Sequence, residues 1–384
     1  MNHPKNIYSA IVIGAGPAGL MASIMASRRI KNILLLEKNE LPGKKLLISG
    51  KGRCNITNAT DDMDEFIQEF SSSGKFLRNC FHIFSNKDLM EFFEKNGLSL
   101  KIERGKRVFP ESDKSRDVLN LLFGHIRKKN ISCVFNSDVT KIKRDDTLFE
   151  VITKKGESFL SEKILICTGG VSYPETGSSG GGLRIAKEFG HTIIDPKPAL
   201  TGLNIKTFST KKWQGISLKN VSCSLISNNK IVEKKFGEML FTHYGVSGPI
   251  ILDLSASAYD LIEKRKEIHI SIDFKPALTY DKVEKRIMRE FKNYKNKTIL
   301  SILRELLPKK MAPAFLGFCK IASDKKVNQI TKEERASLVR TLKDLRLFVA
   351  STRPIEEAIV TRGGVSTKEI NPRTLESKLI KGLF

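Results

Sequence analysis

The sequence predicts an α/β protein: a parallel-sheet layer that starts near the N-terminus and is interrupted past mid-chain by a β-rich insert and then a helical one. Three observations carry this reading. IYSAIVIGAGPAGLMASIMASRRIKNILLLEKNE runs as strand, glycine turn, helix and second strand, the alternation of a parallel α/β layer. EIHISIDF alternates strictly, placing Ile268, Ile270, Ile272 and Phe274 on one face of a strand. From residue 280 the apolar period becomes helical.

The elements follow in order. Residues 64–98 read as helical, with Leu89, Phe92 and Phe93 turned to a core. A further helix follows GKRVFPESD, with Val118, Leu121, Leu122 and Ile126 at helical spacing. Between 131 and 166, ISCVF, LFEVIT and KILIC are short strands separated by polar turns, the last leading into Thr168, Gly169 and Gly170. YPETGSSGGGLRIAKEFGH passes from a glycine-rich loop into a short helix. DPKP at 195–198 marks a boundary. Residues 199–275 read as strands and 280–347 as helices, Thr331 and Glu334 forming a capping box before Leu338, Val339, Leu342 and Leu345. The expected division is 1–195 for the first part of the α/β domain, 196–278 for the β-rich insert, 279–347 for the helical insert and 348–384 for a return to the first domain.

Composition bounds the function. With 384 residues and 40% hydrophobic content, the chain can bury a large core. No apolar run reaches the ~18 residues that a membrane span needs, and no cleavable leader is legible, so a cytoplasmic protein is expected. The six cysteines form no C-x-x-C pair and no cysteine–histidine cluster, which predicts buried thiols and neither disulfides nor a metal site. Net charge is +24, and residues 281–344 hold 17 Lys/Arg against 8 Asp/Glu. Two readings stay open: a polyanion-binding surface, or a lysine-rich solvated one.

Gly14-Ala15-Gly16-Pro17-Ala18-Gly19 is a G-x-G-x-x-G between an apolar strand and an amphipathic helix, and Glu37 closes the next strand. Gly14 permits the tight turn, Gly16 the approach of a pyrophosphate to the helix N-terminus, and Gly19 the packing of helix on strand. Glu37 suits ribose hydroxyls and repels a 2′-phosphate, which disfavours NADP at this position. FAD and NAD both satisfy the fingerprint. FAD is favoured because LLISGKGRCNITN and CTGG supply further wall segments, while no second G-x-G-x-x-G follows a strand to hold NAD(P)H. LLISGKGRCNITN is not a Walker loop, since Gly50-Lys51 is followed by Gly52 where that motif has serine or threonine.

GKKLLISGKGRCNITN, GKRVFPESDKS, TGGVSYPETGSSGGG, FGEMLFTHYGVSGPIILDLS and VTRGGVSTKEINPRTLESKLIKGLF together resemble the BaiN-like, or aminoacetone-oxidase-like, FAD-binding oxidoreductases. The resemblance implies a glutathione-reductase-type FAD-binding Rossmann-like domain interrupted by a β-barrel-like insert and a helical insert. It places FAD contacts on Gly14, Gly16, Ala18, Gly19, Glu37, Lys38, Lys45, Ser49, Gly52, Arg53, Cys54, Asn55, Val139, Thr168 and Gly169. Gly181 stands where the family usually has aspartate. The family usually continues past GLF into a strand and a closing helix, so a sequence ending at Phe384 is expected to hold flavin less tightly.

The implied activity is FAD-dependent hydride transfer through flavin N5 to a small organic substrate, with NAD(P)H or oxygen as redox partner. No catalytic residue is assigned. His243 and Tyr244 are the acid/base candidates, with Tyr173 and Arg362 behind them. Cys54 beside Arg53 reads as a packing residue in preference to a reactive thiolate. Arg107 and Phe109 read as loop-seating residues. The alternative function is a flavoprotein, or non-catalytic binder, that engages RNA or another polyanion through Lys282, Lys285, Arg286, Arg289 and Lys292, opposite Val283, Ile287 and Phe291.

Overall fold

The computed structural model describes residues 7–70, 73–129, 131–206 and 210–384. The chain divides into two compact units, one of residues 1–196 with 363–384 and one of residues 197–362.

The first unit is built on a parallel sheet. Strands β1 (Ala10–Ile13) and β2 (Ile33–Leu36) flank helix α1 (Pro17–Ala26) in sequence; α2 (Ser115–Lys128) leads to β3 (Ser132–Val134), and β4 (Ile164–Ile166) precedes α3 (Gly181–Glu188). Their order is β4-β1-β2-β3, parallel throughout. AIVI and ILLL are buried at every position because both faces of the sheet are covered. Val12, Ile33 and Leu35 pack with residues of α1 and α2, while Ile11, Ile13, Leu34 and Leu36 pack with Val139, Phe149, Val151 and Ile185. Residues 382–384 extend the sheet beside β4: Phe384 N–H donates to the Ile164 carbonyl (2.8 Å) and Ile166 N–H to that of Phe384 (2.9 Å).

His191 fastens this C-terminal segment. Its ring nitrogens lie 3.1 Å from a Glu369 oxygen and 2.8 Å from Ser377 Oγ. The series has the order of a hydrolase relay, but Ser377 is buried and its hydroxyl accepts from the Leu379 and Ile380 amides, so it is a clamp.

The second unit contains a closed six-stranded barrel. Its strands are β5 (Leu203–Ile205), β6 (Ser217–Ser227), β7 (Lys230–Phe241), β8 (Gly245–Ser247), β9 (Ile268–Asp273) and β10 (Leu345–Thr352), in the order β5-β8-β7-β6-β9-β10. Helix α4 (Pro249–Glu263) connects β8 to β9; α5 (Tyr280–Asn293), α6 (Ile299–Leu306), α7 (Ala312–Cys319) and α8 (Lys332–Lys343) lie between β9 and β10. Ile268, Ile270, Ile272 and Phe274 are all buried, as their alternation predicts. Each contributes roughly 1.5–3 kcal/mol by leaving water. Thr331 and Glu334 form the expected capping box at α8.

Four expectations change. Residues 64–98 form three helices, Met63–Gln68, Gly74–Ile83 and Asn86–Lys95, because the Ser85–Asp88 capping box restarts the chain; residues 71–72 lie outside the description. The 199–275 stretch includes the fifteen-residue α4, whose buried Ile250, Ile251, Leu254, Ser255 and Ala258 follow helical spacing after Gly248-Pro249; residues 207–209 of that stretch are outside the description. The β-rich and helical inserts share one core, where Ile270 and Leu347 cluster with Ile287, Phe315 and Leu338. The return to the first unit falls at Gly363 instead of 348, because Leu345, Leu347 and Val349 alternate inward on β10, which closes the barrel against β5 and β9.

Candidate cofactor site

The glycine loop and the ends of β1, β2 and β4 border a cavity of about 490 Å3 in the first unit, within the range of small-molecule sites. A larger groove of about 740 Å3, lined by residues including Asn96, Asp117, His125 and Lys128, contains none of the residues to which the sequence assigns a cofactor.

Gly14 adopts φ +102°, and a Cβ there would lie 2.6 Å from the Cys167 carbonyl oxygen, so only glycine lets the loop press against the end of β4. At Gly16 a Cβ would meet nothing within 4 Å: this side of the loop is open. Helix α1 begins there with proline in its first turn, no side-chain cap and no acidic residue. An uncapped N-terminus without carboxylates leaves amides and a positive dipole end for an anion. Helix α3 brings a second such terminus to the same cavity through Gly181, also without a side-chain cap or first-turn acid.

Glu37 is buried with both carboxylate oxygens engaged. The Ala15 amide donates to Oε2 (2.7 Å), and the backbone and side-chain nitrogens of Asn39 donate to Oε1 (2.9 and 2.7 Å). The carboxylate therefore arrives pre-oriented at the end of β2, with lone pairs left for hydroxyl donors.

Residues 172–180 run along the opposite wall, tied to the segment after β2 by three side chains. Lys38 Nζ donates to Ser179 Oγ (2.9 Å), Asn39 Nδ2 to the Thr176 carbonyl (3.2 Å), and Lys45 Nζ to both the Ser172 carbonyl and Ser178 Oγ (2.7 Å each). Burial lowers the Lys45 pKa from the ordinary lysine value, partly offset by Glu175.

Of the residues named from the sequence, Gly14, Gly16, Ala18, Glu37, Lys38, Lys45, Val139, Thr168 and Gly169 line the cavity together. Gly19 stands behind it, against the Gly14 carbonyl. Ser49, Gly52, Arg53, Cys54 and Asn55 are not among its lining. Ser49 Oγ donates to the Leu46 carbonyl, Gly52 has φ +83° in the turn, and the Asn55 amide nitrogen is beside Gly50. Arg53 pairs with Glu103 (2.8 Å) and Asp113 (3.3 Å) and lies 4.0 Å above the Phe109 ring. Phe109 is buried under it, as a loop-seating residue should be. Cys54 is buried and its thiol is pushed up by desolvation, which fits packing and not a thiolate nucleophile. Cys167, on the cavity wall, is pushed up to about 11 for the same reason.

The sequence reading passed over Asn39, Gly43, Ser137, Asp138, Ser178 and Ser179 also line the cavity, beyond the residues that the sequence motifs mark. Gly43 was the findable one: a Pro-Gly pair before a helix marks a turn, and its amide donates to the Ala15 carbonyl (2.9 Å). In the second unit, His243 is exposed, and Tyr244 is half-buried with its ring 4.6 Å below the Arg353 guanidinium. Arg362 is held by Asp260.

These residues fit FAD. The open side at Gly16 and the bare α1 terminus suit its pyrophosphate, and Glu37 suits a ribose. Lys38, Lys45, Thr168 and Gly169 would flank the remainder.

Comparison with known proteins agrees. The family model described as the HI0933-like protein Rossmann domain matches residues 8–384. The chain is 30% identical over 375 residues to the 3-dehydro-bile acid delta(4,6)-reductase of Clostridium scindens, covering 97% of this chain and 90% of that protein. It is 28% identical over 378 residues to the ribosomal RNA dihydrouridine synthase of Escherichia coli, covering 98% and 90%. Among solved structures it is similar to the 3-ketosteroid-delta4-(5alpha)-dehydrogenase of Rhodococcus jostii RHA1, with 12% identity, a TM-score of 0.48 and coverage of 99% and 90%.

Proposed function

The chain belongs to the HI0933-like family of FAD-binding Rossmann proteins and is an FAD-dependent oxidoreductase; from that premise we propose that it reduces a carbon–carbon double bond conjugated to a carbonyl, with NAD(P)H as reductant. The observation that carries the redox part is the cavity itself, where a bare helix terminus, an open glycine and a pre-oriented carboxylate meet at the ends of parallel strands. Bound there, FAD supplies hydride transfer through N5 of its ring.

Two names among the relatives support the bond type. A delta(4,6)-reductase of a 3-dehydro-bile acid and a dihydrouridine synthase both add two hydrogens across a double bond polarised by a carbonyl. In such a reaction hydride reaches the β-carbon, a proton reaches the α-carbon, and NAD(P)H leaves as NAD(P)+. This chain's residues serve it by fixing the cofactor: Glu37 and Asn39 set the end of β2, and Lys45 holds the 172–180 wall in place. Glu37 disfavours a 2′-phosphate only at the FAD ribose, so it does not decide between NADH and NADPH as the external donor.

A second substrate reading is favoured by charge. With a net charge of +24, the chain suits a substrate carried on a polyanion, and the bond would then be that of a uracil ring within RNA.

The test is anaerobic. FAD-loaded protein is mixed with NADH or NADPH, and bleaching of the flavin absorbance is followed. The reduced protein is then offered 2-cyclohexenone or a uridine-containing RNA stem–loop, and the saturated product is measured by mass spectrometry. The expected result is bleaching by at least one nicotinamide and reoxidation with one saturated product per flavin. Failure of both nicotinamides removes the reductant assignment; reoxidation by neither acceptor removes the double-bond assignment.

A further inference from the structure

Helix α5 of the second unit carries Lys282, Lys285, Arg286, Arg289 and Lys292, all exposed. At about 100° per residue these five fall within an arc of about 120°, and they run about 15 Å along the axis. Val283 and Ile287, on the opposite side, are buried in the unit's core. Of the three carboxylates on the helix, only the exposed Asp281 borders the stripe, which leaves five cations against one acid on that side. Glu284 pairs with Arg335 of α8 at 3.2 Å, and Glu290 approaches Arg289 only to 3.9 Å. Among the described residues, Lys282, Lys285, Arg286 and Lys292 have no ion-pair partner. Tyr280, at the start of the helix, stands on the side of Val283 and Ile287 with Lys343 Nζ 5.9 Å from its ring centre, and Tyr294 follows the last helical residue, so neither belongs to the stripe. The charge continues beyond the helix, where Lys297 Nζ lies 4.2 Å from the centre of the Tyr294 ring.

We infer that this face of α5 is a docking surface for RNA, its lysines and arginines seated on phosphates. The inference rests on the RNA reading of the substrate given above and assigns it a surface. Uncompensated cations at helical spacing neutralise a sugar–phosphate backbone without reading sequence. An anionic membrane is the poorer fit: interfacial helices insert an apolar face, and the apolar face of α5 is used up in the core.

The experiment measures binding of the full-length protein to a fluorescein-labelled, uridine-containing RNA stem–loop by fluorescence polarisation across 50–300 mM salt, the range about the ~0.1 M at which exposed charges become screened. One variant combines Lys282→Ala, Lys285→Ala, Arg286→Ala and Arg289→Ala. A charge-matched control combines Lys141→Ala, Lys143→Ala, Lys154→Ala and Lys155→Ala, exposed lysines of the first unit. The stripe variant is expected to bind at least tenfold more weakly, with a log K against log salt slope shallower by about 3, while the control stays within twofold of wild type. Should the quadruple variant fold poorly, Lys285→Ala with Arg289→Ala is expected to show about half the change in slope. Unchanged binding by the stripe variant, equal losses in stripe and control, or preferential retention on phosphatidylglycerol vesicles overturns the assignment. Reduction of 2-cyclohexenone is the independent readout. A protein that reduces it but ignores RNA loses the docking surface alone, and one that binds RNA through the stripe yet reduces neither acceptor loses the reaction alone.

Discussion

Lys45 shows how a single side chain gains a role from where it points. It follows the Pro-Gly turn after β2, and its ammonium crosses to the Ser172 carbonyl and the Ser178 hydroxyl on the opposite wall of the cavity. Charge-assisted hydrogen bonds of this kind contribute about 1.5–3 kcal/mol. Lys45→Met retains much of the aliphatic stem and removes both bonds, so FAD should dissociate about tenfold faster, the change that ~1.4 kcal/mol produces. Recovery of flavin fluorescence after dilution measures this directly. An unchanged off-rate would show that residues 172–180 hold their place without the lysine. Arg53 teaches the opposite lesson: its chemistry suits a cofactor phosphate, but Glu103 and Asp113 occupy its guanidinium.

At the scale of elements, the contact between α1 and the loop before it decides whether the nucleotide end is formed. A Cβ at Gly19 would lie 1.8 Å from the Gly14 carbonyl oxygen, and backbone there cannot rotate away as a side chain would. Gly19→Ala must push α1 outward, at a cost of about 1–3 kcal/mol. A melting temperature lower by several degrees and a sharp drop in the FAD content of purified protein are expected. Calorimetry and the ratio of flavin to protein absorbance check both. A variant with native melting and full flavin would mean that the helix does not need its close seat. The fingerprint was legible because strand, turn and helix are consecutive. Helix α4 was harder to see: its run of apolar residues also suits a buried strand, and only Gly248-Pro249 and the i, i+4 spacing separate the two.

At the scale of the molecule, the second unit is one uninterrupted excursion of the chain, residues 197–362, with its own core. Expressed alone, it should melt in a single cooperative transition, followed by circular dichroism at two wavelengths; a broad transition that differs between probes would show that its core is incomplete by itself. No helix among the described residues is long and apolar enough to cross a membrane.

By itself the sequence determined what depends on neighbours in the chain: the strand–turn–helix at Gly14, the strand-end position of Glu37, the inward face of EIHISIDF and the cationic stripe of α5. These are local periodicities, and backbone geometry converts them directly into faces and turns. Tertiary structure alone decided which polar residues after β2 meet the cavity. Lys45 bridges to a loop 127 residues away, while Arg53, eight positions further on, turns to Glu103. It also decided that the barrel closes where β5 pairs with β10, Ile205 opposite Val349. Such pairings depend on shape and burial summed over distant segments, and no local pattern encodes which distant partner a side chain will find.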